Sequence, residues 1–143
     1  HEAMAESYWN IGMYGHAEQE YQLSMRLAPP LLTGPMLSYA HRLRTRGNCY
    51  PAVELYKRAL KVRPSNMAGL APLIACRLFL GQYRVAAAEA RLAMTYGWRE
   101  EVFRQAIDLA ESALAVGATP GTVRISLPPR DELFEYMTVG LSR

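Results

Sequence analysis

The stretch that decides the fold is GNCYPAVELYKRALKVRP, residues 47–64. Its skeleton recurs on both sides at almost constant spacing. Gly47 is matched by Gly12 and Gly81, Ala52 by Ala17 and Ala86, Tyr56 by Tyr21 and Ala90, and Pro64 by Pro29 and Trp98, at offsets of 35 and then 34 residues. One glycine or one alanine at such a distance would carry little weight, but a whole set that moves together indicates a tandem array of one supersecondary unit. The unit reads physically as two helices. Gly closes the first in a tight turn where a left-handed residue is tolerated. Ala, Tyr and the next apolar residue form the inner stripe of the second, and Pro stops it.

With a small residue, Ala40, seven before Gly47, this period resembles the tetratricopeptide repeat. Residues 32–66 are similar to that pattern almost throughout, at Ala40, Leu43, Gly47, Ala52, Tyr56, Ala59, Leu60 and Pro64. Residues 1–31 resemble a repeat lacking its first few residues, with Met4, Ala5, Tyr8, Gly12, Tyr14, Ala17, Tyr21, Leu27 and Pro29. Residues 67–100 resemble it through Leu70, Leu73, Gly81, Tyr83, Ala86 and Ala93, with Ile74 in place of the small residue, Ala90 of the aromatic one and Trp98 of the proline. Residues 101–143 then form a degenerate fourth, capping unit. The resemblance implies one all-α domain over 1–143, a right-handed superhelical stack of antiparallel helix pairs (an α-solenoid) whose concave groove binds other proteins.

Composition bounds the rest. A chain of 143 residues, half of them apolar, is long enough for one core and not for a second. The net charge of +3 is mild, and Arg42, Arg44, Arg46, Lys57, Arg58 and Lys61 fall on several faces without interleaved stacking aromatics, so nucleic-acid binding is disfavoured. No apolar run approaches the ~18 residues of a membrane span. The opening, HEAMAESYWN, has no charged region leading into an apolar core, so no signal peptide is read, and the chain is expected to be a fragment of a longer protein. Cys49 and Cys76 fit neither a CxxC pair nor a zinc spacing; two free thiols are expected, with a disulfide as the alternative.

Along the chain, the first helix is expected over 2–11 and the second over about 15–27. The break at 28–35 carries three prolines, and Pro35 suits the first turn of the next helix. Ser65-Asn66 is a cap candidate for the third repeat, and Pro72, somewhat deep in that helix, is expected to displace or kink its start. A helix over 99–116 ends at Gly117. Residues 118–129 favour an extended segment, and 130–142 resume a helical pattern with Leu133, Phe134, Met137 and Leu141.

No catalytic constellation rises above background. Phosphate-cradling loops, HExxH and a nucleophile elbow are all missing from the sequence, and the adjacent carboxylates Glu100/Glu101 and Asp131/Glu132 diverge on a helix. No catalytic residue, metal site or cofactor is therefore expected. The resemblance instead implies a groove wall on the first helix of each repeat. Mapped here, it comprises Glu2, Glu6, Trp9 and Asn10; Leu37, Ser38, His41, Arg44 and Thr45; Ala71, Ala75, Leu78 and Phe79; and Gln105, Leu109 and Ser112. That wall is acidic at one end, basic in the middle and apolar at the other, which suits an extended or helical peptide. Family members that hold chaperone carboxylate tails use two lysines, two asparagines and an arginine at slots occupied here by Glu2, Glu6, Ser38, Ala68 and Pro72; none of these supplies a cation, so that ligand is not expected. The expected function is a non-enzymatic protein-interaction scaffold; homo-oligomerisation through repeat stacking or the 130–142 segment is the second expectation.

Overall fold

A computed structural model describes residues 1–29, 32–97 and 100–117, which fold into α-helices with no strand among them. In order they are α1 (Glu2–Asn10), α2 (Tyr14–Leu27), α3 (Gly34–Thr45), α4 (Cys49–Val62), α5 (Met67–Phe79), α6 (Tyr83–Thr95) and α7 (Glu100–Ala115). The expected extended segment at 118–129 and helical segment at 130–142 lie outside the described residues.

The repeat is visible in the backbone at its turns. Gly12, Gly47 and Gly81 adopt φ of 84°, 85° and 78°, left-handed values that cost an L side chain steric energy and cost glycine none. Around each, the same two bonds close the preceding helix in a Schellman motif. Gly12 N–H donates to Trp9 O at 3.0 Å and Met13 N–H to Tyr8 O at 2.8 Å; Gly47 and Asn48 do the same to Arg44 and Leu43 at 2.9 and 2.8 Å; Gly81 and Gln82 to Leu78 and Arg77 at 3.1 and 2.8 Å. The next residue along is at once the N-cap of the following helix, with φ/ψ of −86°/67° at Met13, −85°/67° at Asn48 and −85°/61° at Gln82. The two helices of each pair are therefore joined by one backbone geometry used three times.

The even-numbered helices end in a manner set by the next residue in the chain. Proline crowds the residue before it out of the helical region. Ala28, before Pro29, is extended at −70°/145°, and Arg63, before Pro64, at −147°/96°. Where Trp98 replaces proline, Tyr96 stays at −84°/0° and Gly97 supplies a left-handed stop at φ 79°.

Each helix packs on the next, and α3 also packs on α5 and α5 on α7. The stripe expected to line the crossings is interior: Ala17, Tyr21, Ala52, Tyr56, Ala86 and Ala90 are all 0% exposed. Two apolar clusters result. One joins α1–α4 with Leu73 and Cys76; the other joins α5, α6 and α7, and Leu60 touches both. α5 contributes to both clusters and buries ten residues, as a helix apolar on nearly every face must. Its start is not displaced by Pro72. The helix begins at Met67, where Asn66 Oδ1 accepts from Ala68 N–H at 3.1 Å. The amide that Pro72 lacks removes one interior bond, and burial on both sides outweighs the roughly 3 kcal/mol this costs.

Candidate interaction surface

The expected wall lies on the odd-numbered helices, which the packing of α3 on α5 and α5 on α7 brings side by side. α1 is tied into the row by Ser38 Oγ, which donates to Glu2 Oε1 at 2.6 Å. Asn10, Thr45, Phe79 and Gln105 are exposed on these helices, and Glu6, Leu37 and His41 are half-buried.

Ser112 is exposed too, and Glu2, Ser38 and Leu109 are half-buried; Trp9, Arg44, Ala71, Ala75 and Leu78 are interior. Leu78, 2% exposed, belongs to the α5–α7 cluster with Tyr83 and Ala86, because the close alanine packing of α6 and α7 draws that face of α5 inward. Trp9 meets Tyr14 edge-on at 4.9 Å and 71°, and the Arg46 guanidinium covers both rings, 3.7 Å from the Tyr14 centroid and 5.9 Å from that of Trp9. Arg44, 8% exposed, turns into the α3–α4 crossing. Ala71 and Ala75 are core residues as well. The side chains of these five residues are buried within the chain.

Arg44 is held by chemistry the sequence did not disclose. Its Nε donates to the Tyr56 hydroxyl at 3.3 Å, and that hydroxyl lies 2.7 Å from His41 Nδ1. A guanidinium only donates, so the tyrosine proton is left for His41, which accepts at Nδ1 and carries its own proton on Nε2. Burial, reinforced by the Arg44 charge, lowers the His41 pKa to about 4, so the ring is neutral at neutral pH. Burial likewise pushes the Tyr56 phenol well above its ordinary value, against the opposing pull of Arg44. The middle of the wall is consequently much less cationic than the run His41-Arg42-Leu43-Arg44 suggests.

Other pairings link neighbouring helices. Tyr21 of α2 stacks on Tyr39 of α3 at 4.9 Å and 10°. Arg77 Nε bonds Glu89 Oε1 at 3.0 Å across α5 and α6, and Arg91 pairs with Glu111 across α6 and α7. Cys49 and Cys76 are buried thiols that form no disulfide. A hydrogen bond between their thiols, then burial, raises the Cys76 pKa. The 27-residue separation gave no hint of this contact. The partnership of Arg46 with Tyr14 and Trp9 also went unread, although an arginine and an aromatic at the ends of neighbouring helices were the available signal.

Among the described residues no group of three His, Cys, Asp or Glu side chains converges as a metal site, and no helix is long and apolar enough to cross a membrane. No family model, curated protein or solved structure matches the chain.

Proposed function

We propose that the chain is a tetratricopeptide-like, right-handed α-solenoid of about three repeats with a capping unit over 101–143, and that it is a non-enzymatic scaffold holding a partner protein or peptide against α1, α3, α5 and α7. The observation that supports this most is the one turn geometry repeated at Gly12, Gly47 and Gly81, which joins three helix pairs by the same backbone bonds, together with the packing of α3 on α5 and α5 on α7. Such a row is the physical requirement for a continuous wall.

The groups offered to a ligand are Glu6 and Asn10 at one end, Thr45 and the neutral His41 in the middle, and Phe79 and Gln105 at the other. With Arg44 turned inward, the partner that fits is a mainly polar peptide carrying one apolar anchor for Phe79, not a strongly acidic tail. Binding to a chaperone carboxylate is further disfavoured because Glu2 is engaged by Ser38 and Pro72 is buried.

A peptide-library screen against wild type and a Thr45→Glu/Phe79→Ala double variant tests this. Both positions are exposed, so helicity by circular dichroism should be unchanged while groove ligands are lost. Ligands retained equally by both proteins, or no ligand at all, would overturn the assignment.

A further inference from the structure

The packing of α4 on α5 brings Cys49 and Cys76 together inside one apolar cluster, where they are 3% and 0% exposed and their thiols hydrogen-bond to each other. Two sulfurs in contact across neighbouring helices are already placed for a disulfide, because no backbone has to travel to join them. Their surroundings differ, and the difference assigns each a role. Cys49 is the first residue of α4, at the positive end of a 14-residue helix, where a thiolate is favoured. Both its chain neighbours, Asn48 and Tyr50, are exposed, so solvent lies one residue away on either side. Cys76 is enclosed within α5. Its bond to Cys49, then burial, keeps its proton on well above the ordinary thiol range, while Arg44 and Arg77 favour negative charge on its sulfur. Cys49 is therefore the sulfur that reacts first, and Cys76 the one that resolves.

We propose that Cys49 and Cys76 form a redox modification site, at which a small hydroperoxide oxidises the pair to a disulfide that clamps α4 to α5. The Cys49 thiolate attacks one peroxide oxygen. An S–O bond forms as the O–O bond breaks, and the departing hydroxide takes up the proton that the thiol lost. The Cys76 sulfur then displaces the hydroxyl of the sulfenic acid, which leaves as water with the Cys76 proton, and the S–S bond closes. In sum, two thiols and one hydrogen peroxide give one disulfide and two waters. Burial of both sulfurs keeps out bulky oxidants such as a protein disulfide, and the contact with Cys76 traps the sulfenic acid before a second peroxide can reach it. The clamp joins the second helix pair to the third at α5, which belongs to both apolar clusters, and it uses none of the exposed groove residues.

Hydrogen peroxide added to the folded chain, followed by proteolysis without reductant and mass spectrometry, tests the proposal. The expected product is a monomer lighter by two hydrogens, with the peptides that hold Cys49 and Cys76 linked, and dithiothreitol should restore the thiols. The oxidised form should melt roughly 5–15 °C above the reduced one, because the bridge restrains the unfolded chain. In Cys76→Ser, Cys49 should stop at the sulfenic acid and be captured by dimedone; in Cys49→Ser, Cys76 should stay an unmodified thiol. If either variant loses helicity by circular dichroism, the wild-type product decides. A folded wild type that keeps both thiols, that links separate copies, that closes only in urea or that gains no thermal stability would overturn the proposal, as would capture of Cys76 by dimedone in folded Cys49→Ser. No groove ligand enters the experiment, so its failure leaves the groove reading intact.

Discussion

Tyr56, itself fully buried, joins Arg44 and His41 in one polar group, and its neighbours make that group sensitive to acid. His41 has a folded pKa of about 4 against an ordinary 6.5, so between those values the unfolded chain takes up a proton that the folded chain does not. The stability contributed by this ring is fully present above pH 6.5 and is lost as pH falls through about 4. Its ceiling is about 3 kcal/mol, from the size of the shift. Thermal unfolding across that window should fall more steeply for wild type than for His41→Gln, which cannot charge. Parallel slopes would mean that His41 is not held neutral by its surroundings. The same cluster explains why the basic run in α3 misled: charge can be counted along a sequence, but the direction of Arg44 depends on a hydroxyl 12 residues away on another helix.

The helices and turns were the most legible level. Gly47, Ala52, Tyr56 and Pro64 fix a turn, a crossing, an aromatic plug and a stop, each by local sterics, and those survive in any context. What was not legible is how α5 tolerates Pro72, because that depends on apolar partners on both sides. Two glycines show how position decides the sign of a substitution. At Gly47, with φ of 85° and nothing within 4 Å of an added Cβ, Gly47→Ala should cost about 1 kcal/mol through backbone strain alone. At Gly69, inside α5, an added Cβ would meet Leu60 at 3.4 Å, an ordinary contact, so Gly69→Ala should stabilise by about 0.5–1 kcal/mol through helix propensity. Chemical denaturation of both variants checks the pair, and a shared sign would contradict the argument. The departure of the third repeat from its predecessors also has a reason. Ala90 stands where the others carry tyrosine, and it faces an α6–α7 interface built with Ala86, Ala87, Ala106 and Ala110. Restoring the repeat pattern with Ala90→Tyr should overpack that crossing and cost roughly 1–3 kcal/mol or more; an unchanged melting temperature would show that the interface is looser than its burial indicates.

At the scale of the molecule, α5 belongs to both apolar clusters, so opening either one disturbs it. Amide hydrogen exchange should therefore be slowest in α5 and fastest at α1, where Met4 and Ile11 are exposed, with α4 and α6 between them. Uniform protection from α1 to α7 would instead indicate a single cooperative unit. Which side chains stay outside was the least legible level, because packing decides it, and Leu78, Trp9 and Arg44 all went inside. The three recurring turns have a bearing on inheritance. Because backbone dihedrals at Gly12, Gly47 and Gly81 set how each pair of helices meets, a gene encoding this chain can change the codons for Asn10, Thr45, Phe79 or Gln105 one at a time without altering its shape. Descendants of one ancestor would then share three glycines and little of what those glycines display.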